Sequence, residues 1–171
     1  PTASGTPIAD DFPPQNPHNM IALFPGSFDP ITRGHEALIL KALPLFERVV
    51  VAVGDNVRKH TLFPLEQRMA WVRATFAHEP KVVVDSYSAL TVDYCHQHGI
   101  GCIVRGLRNE TDFRYEAEQA KANRLLAPDI ETLFLLSDAD TEVLSSSMVR
   151  ELLAFGKDVA PYLPEGVVIQ K

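Results

Sequence analysis

Five short apolar runs, separated by segments of helix length, dominate the chain from Met20 onward. The clearest is RVVVAVG at residues 48–54, a near-continuous stretch of β-branched side chains with no polar alternation. A run of that kind is a strand covered on both faces. Strands covered on both faces belong to parallel sheets, in which crossover helices lie above and below. The other runs lie at 21–24, 81–85, 101–104 and 130–136. Between them, helical spacing predicts a helix over about 33–43, ended before Pro44, which a helix interior does not tolerate. A second helix opens at Pro64, a residue favoured at helix starts, with Leu65, Met69, Val72 and Phe76 on one stripe. Three more follow: 90–98 stopped by Gly99, 110–126 with Pro128 just beyond it, and 145–155 closed by Gly156. Thr32 is a candidate N-cap for the first helix, and Asn109, Thr111 or Asp112 for the fourth.

This alternation predicts a single-domain α/β fold: a doubly wound, Rossmann-like, five-stranded parallel sheet with helices on both faces. Ligands of such sheets sit beyond the carboxyl ends of the strands, at a topological switch point. A chain of 171 residues, 46% of them hydrophobic, suits one domain. That domain is expected over 20–171. Residues 1–19 hold five prolines and almost no periodicity. They are expected to be an extension outside the fold, flexible or draped on it, either a native tail or an expression remnant.

Composition narrows the class. A formal net charge of −6 argues against a nucleic-acid partner, which wants a basic surface. No apolar run reaches the roughly 18–20 residues of a membrane span, so no membrane partner is expected. No basic-then-apolar secretory pattern opens the sequence. Cys95 and Cys102 fall in a helical and a strand pattern and are expected to be free, buried thiols of a reducing compartment, the cytoplasm. His60, His78, His96 and His98 make no metal-ligand pattern.

The first strand runs into Phe24-Pro25-Gly26-Ser27-Phe28-Asp29-Pro30-Ile31-Thr32-Arg33-Gly34-His35. This turn delivers Gly34 and His35 to a helix start, where free backbone N–H groups and the helix dipole favour an anion. Gly34 is expected to let a phosphate approach the backbone. The string is neither GxGxxG nor GxxxxGK[ST], so the two familiar phosphate loops are excluded. The other loops on that edge offer Arg58 and Lys59, then Arg105-Gly106-Leu107-Arg108, then Ser145-Ser146-Ser147. Read alone, Arg58-Lys59-His60 is an ordinary solvated loop, Ser145–Ser147 supply an N-cap, Tyr115 is a core-edge tyrosine and Glu116 a solvated acid. Together, two helix N-termini, a histidine and several cations suit a ligand with several phosphates.

Thr-x-Gly-His and Ser-Ser-Ser-x-x-Arg are signatures of a nucleotidyltransferase superfamily. PGSFDPITRGH (25–35), Lys59, IVRGLRNETDFRYE (103–116), Asn123-Arg124 and LSSSMVRE (144–151) make the chain from Met20 resemble the phosphopantetheine adenylyltransferase family. That resemblance implies transfer of the adenylyl group of ATP to 4′-phosphopantetheine, giving dephospho-coenzyme A and pyrophosphate. It implies ATP contacts at Ser27, Phe28, His35, Gly106, Leu107, Arg108, Glu116, Thr141, Glu142, Val143, Leu144, Ser145, Ser146 and Ser147. It places 4′-phosphopantetheine at Ser27, Lys59, Thr91 and Arg105, and the catalytic roles at His35, Lys59, Arg108 and Ser146. It also implies a homohexamer inhibited by coenzyme A. Ser27 stands where the family often has threonine, which keeps the hydroxyl.

The chemistry needs no protein nucleophile. The acceptor phosphate is already an anion and attacks the α-phosphorus in line, with no covalent enzyme intermediate. Catalysis is then positioning and charge stabilisation. Magnesium is the expected cofactor, bridging phosphates, with most of its ligands from phosphate and water because no acidic cluster forms a protein cage. Two other readings stay open on the residues: a nucleotidyltransferase acting on nicotinate mononucleotide or glycerol 3-phosphate, and a non-catalytic nucleotide-binding module.

Overall fold

The computed structural model describes residues 20–56 and 60–169. The expected extension at 1–19, and Val57, Arg58 and Lys59, lie outside the described residues. Five strands alternate with five helices: β1 (Ile21–Gly26), α1 (Arg33–Ala42), β2 (Arg48–Gly54), α2 (Leu65–Thr75), β3 (Val82–Tyr87), α3 (Thr91–His98), β4 (Cys102–Leu107), α4 (Glu110–Leu126), β5 (Glu131–Leu136) and α5 (Ser146–Ala154). All pairings are parallel, in the order β3-β2-β1-β4-β5. The doubly wound five-stranded sheet is as expected. Chain order reverses between β1 and β4, so the switch point lies between the loops that leave those two strands.

β2 explains why its apolar run is continuous. Val49, Val51 and Val53 pack into one cluster with Ile39 of α1, Val72 of α2 and Val149 of α5. Val50 and Ala52 pack into the opposite cluster with Val92 and Cys95 of α3 and with Ile130. Each fully buried valine contributes on the order of 1.5–3 kcal/mol. Cys95 and Cys102 are free and buried; burial pushes the Cys95 thiol up to about 11.

Boundaries differ from expectation where backbone pairing outvotes local signals. β1 runs on through Pro25, because that residue pairs β2 at Ala52 while β1 meets β4 only at Ala22 and Leu23. Proline's missing N–H therefore breaks no ladder on the β4 side. β4 continues beyond Val104, with Arg105, Gly106 and Leu107 opposite Phe134, Leu135 and Leu136 of β5. Arg105 is thus a strand residue and not a loop residue. Pro44 sits in a short 3₁₀ turn, Leu43–Leu45, that follows α1 directly, and Pro64 is the N-cap of α2.

Candidate active site

The turn after β1 ends in a capping box. The Thr32 side chain accepts the His35 backbone N–H, and the Thr32 backbone N–H donates to His35 Nδ1 at 3.0 Å. Glutamate or glutamine usually fills that third position; here an imidazole does. Accepting at Nδ1 leaves the proton of the neutral ring on Nε2. Burial, with Arg105 and Arg108 adding like charge, lowers the His35 pKa to about 4. His35 is therefore a neutral Nε2–H donor at physiological pH, with its ring edge-on to buried Phe28 at 5.1 Å between centroids. Phe28 holds a positive φ of 47°, a conformation that costs a non-glycine residue about 1–3 kcal/mol.

Gly34 serves a purpose beyond the one expected. A Cβ there would lie 2.9 Å from the carbonyl oxygen of Leu144 and 3.3 Å from that of Thr141. The space a side chain would take at Gly34 belongs to the backbone of the β5–α5 loop. Gly106 plays the same part on β4, where a Cβ would meet Leu38 of α1 at 2.2 Å.

Two of the arginines lining the cleft, Arg105 and Arg108, are each held by a carboxylate. Arg105 donates from Nε and Nη2 to Glu116 at 2.8 and 2.6 Å, and from Nη1 to the Pro25 carbonyl at 2.7 Å. Burial opposes the Arg105 charge and Glu116 outweighs it, so the guanidinium lies above its usual range. Glu116 is 9% exposed, which overturns its reading as a solvated acid. β4 directs Arg105 to the α4 face of the sheet, and one bidentate pair answers it there. Tyr115, by contrast, is 65% exposed. Arg108 donates from Nε and Nη2 to Asp112 at 2.8 and 3.1 Å, and that contact holds the Asp112 carboxyl below its ordinary value.

The serine run is largely engaged with the protein itself. Ser145 caps α5 by accepting the Met148 N–H, Ser146 donates to the Pro30 carbonyl at 2.7 Å, and Ser147 accepts from Arg150. What α5 offers the cleft is its N-terminal N–H groups and dipole. Arg150 also donates to the Asp29 carbonyl at 2.8 Å, which fastens α5 to the first turn.

These elements enclose a cleft of about 340 Å³, within the range of small-ligand sites. Ser27, Phe28, Gly34, His35, Arg105, Gly106, Arg108, Glu116, Thr141, Leu144, Ser145, Ser146 and Ser147 all line it. Leu107 is buried behind it in β4, while Glu142 and Val143 lie in the adjoining loop without reaching it. Thr91 opens α3, with its hydroxyl 3.2 Å from the Tyr87 hydroxyl, and does not line it. Lys59 is outside the described residues. Asp112 and Arg150 also line the cleft; the sequence offered Asp112 only as a helix cap and Arg150 only as the last residue of the Ser-Ser-Ser-x-x-Arg signature, neither as a site residue. The spacing of Arg150 was available, since it sits four residues from Ser146 and so on the same helical face.

A family model described as cytidylyltransferase-like matches residues 23–152. A phosphopantetheine adenylyltransferase of Flavobacterium psychrophilum is 45% identical, over 87% of this chain and 98% of its own. That of Phocaeicola vulgatus is 46% identical, over 86% of this chain and 97% of its own. A crystal structure described as a nicotinate-nucleotide adenylyltransferase from Vibrio parahaemolyticus superposes with a TM-score of 0.63 at 17% identity, covering 85% of this chain and 87% of that one. At that identity the likeness speaks for the fold alone.

Proposed function

The chain belongs to the phosphopantetheine adenylyltransferases, within the cytidylyltransferase-like family, and from that premise we propose that its cleft transfers the adenylyl group of ATP to 4′-phosphopantetheine, releasing pyrophosphate and dephospho-coenzyme A. The carrying observation is a neutral imidazole donor, tautomer set by the Thr32 cap, beside Arg105, Arg108 and the α5 N-terminus in one cleft. That set stabilises charge spread over phosphoryl oxygens and supplies no nucleophile. The acceptor phosphate attacks the α-phosphorus directly, and His35 Nε2–H donates to the oxygen on which charge builds.

ATP lies along Ser27, Phe28, His35, Gly106, Arg108, Glu116, Thr141 and residues 144–147, with Leu107 backing the site, Glu142 and Val143 beside it, and the phosphates at the α5 N-terminus. 4′-Phosphopantetheine is held by Ser27 and Arg105 in the cleft and extends beyond it towards Thr91, with Lys59 as a further proposed contact. Arg105 keeps one free N–H on each terminal nitrogen after its bonds to Glu116 and Pro25, enough to take a phosphate without breaking either. Magnesium enters as part of the ATP substrate. The two carboxylates lining the cleft are both committed to arginines, and no cluster of three metal-binding side chains exists among the described residues. When bound, it would be held mainly by phosphate oxygens and water and would neutralise phosphate charge.

The enzyme is cytoplasmic in this reading and works as a homohexamer that coenzyme A, sharing the product's framework, inhibits. Among the described residues no helix is long and apolar enough to cross a membrane. Phe113, Leu125 and Leu126 of α4 and Leu136 of β5 are exposed apolar side chains that copies of the chain would cover. Pyrophosphate release from Mg·ATP, assayed with 4′-phosphopantetheine, nicotinate mononucleotide and glycerol 3-phosphate, tests the reading. Turnover should appear with the first alone; turnover with either of the others, or with none, overturns it.

A further inference from the structure

Arg68 is 2% exposed and sits in the first turn of α2. On stability grounds a cation there is costly three times over. It is desolvated, it lies at the positive end of a helix, and it makes no ion pair among the described residues. All its hydrogen-bond partners given by the structure are carbonyl oxygens: Ser27 at 2.6 Å, Gly54 at 3.0 Å and Phe63 at 3.0 Å. Ser27 belongs to the turn after β1, Gly54 ends β2, and Phe63 closes the segment that leads into α2. Asp29 works from the other side. Only 4% exposed, its carboxylate accepts the N–H groups of Leu62 at 2.8 Å and Phe63 at 2.9 Å.

We propose that Arg68 is a positioning residue for adenylyl transfer, acting with Asp29 as a two-sided clamp. The pair fixes the turn carrying Ser27 and Phe28 against both Gly54 and Phe63, so that Ser27 meets the substrates in register. This rests on the reading of the cleft given above. An apolar residue would fill the same volume but leave three carbonyls unpaired. The planar fork of arginine reaches all three at once; the single ammonium of lysine does not.

Arg68→Lys tests the clamp. A misplacement of about 1 Å in a reacting constellation costs on the order of a hundredfold in rate. The expected result is a folded enzyme whose kcat falls about 10- to 100-fold while the KM for ATP changes less than about threefold. A folded Arg68→Lys enzyme with wild-type kcat overturns the proposal, as does a loss confined to KM. If that variant does not fold, hydrogen exchange on the wild-type protein decides. The Leu62 and Phe63 amides should exchange at least about a hundredfold more slowly than free-peptide amides, and Asp29→Asn should abolish that protection while β2 stays protected. Peptide-like exchange at Leu62 and Phe63 in the wild type overturns the clamp. Absence of pyrophosphate release by the wild-type enzyme would instead be a failure of the functional reading, and the exchange data would still judge the clamp.

Discussion

His35 shows how a motif residue does two jobs through its two nitrogens. Nδ1 completes the cap of α1, and Nε2 is left as the donor. His35→Ala should lower kcat by about a hundred- to a thousandfold, the scale for losing one preorganised donor, in a protein that still folds; near wild-type turnover would refute the role. The lowered pKa adds a stability prediction. The unfolded chain binds a proton near pH 6.5 and the folded chain only near pH 4. Between those values the unfolded state holds more protons, so His35 makes stability fall as pH drops through that window. In His35→Gln, which keeps a capping-box side chain but does not titrate, the pH slope of the thermal midpoint between 6.5 and 4 should flatten. Arg105→Ala should weaken 4′-phosphopantetheine far more than ATP in calorimetry, and equal losses would reject the assignment. The sequence made His35, Arg105 and Arg108 legible because they punctuate the ends of apolar runs. It left Glu116 looking solvated, since nothing in the spacing of α4 says that Arg105 reaches it from β4. Arg68 was not singled out from sequence, although it falls beside Leu65, Met69 and Val72 on a stripe that is otherwise apolar.

At the scale of elements, the periodicities that define strands and helices were strong enough to give every one of the ten, and weakest at their ends. The end of β4 was misplaced because Gly106 reads as a turn residue. In the sheet it is a contact point, its absent side chain making room for Leu38 of α1. Gly34 carries the same lesson with a sharper consequence. In a helix, Gly→Ala ordinarily gains up to about 1 kcal/mol. At Gly34 the added methyl meets backbone carbonyl oxygens of the β5–α5 loop, which cannot rotate away as a leucine side chain can. Gly34→Ala should therefore destabilise the protein by about 1–3 kcal/mol in denaturant unfolding and reduce turnover by displacing residues 141–144. A stabilised Gly34→Ala protein would show that the loop yields freely.

At the scale of the whole molecule, the parallel sheet positions the site by placing the ends of β1 and β4 side by side, and the chain's overall order was readable because that architecture follows from alternation alone. What alternation does not encode is how many chains share a surface. Of the seventeen residues of α4, Glu116 is the single buried one, and Leu125 and Leu126 are 87% and 63% exposed. Leu125→Glu with Leu126→Glu should leave the monomer core intact and shift the sedimentation profile from the proposed hexamer to smaller species; an unchanged profile would place the contact elsewhere. The same helix carries Asp112 and Glu116, the two carboxylates that hold Arg108 and Arg105. If neighbouring chains are what steadies α4, assembly and substrate affinity are linked by mass action, and each must favour the other. Protein concentration then becomes a variable of the reaction: dilution should lower specific activity, and saturating 4′-phosphopantetheine should move that loss to lower concentration.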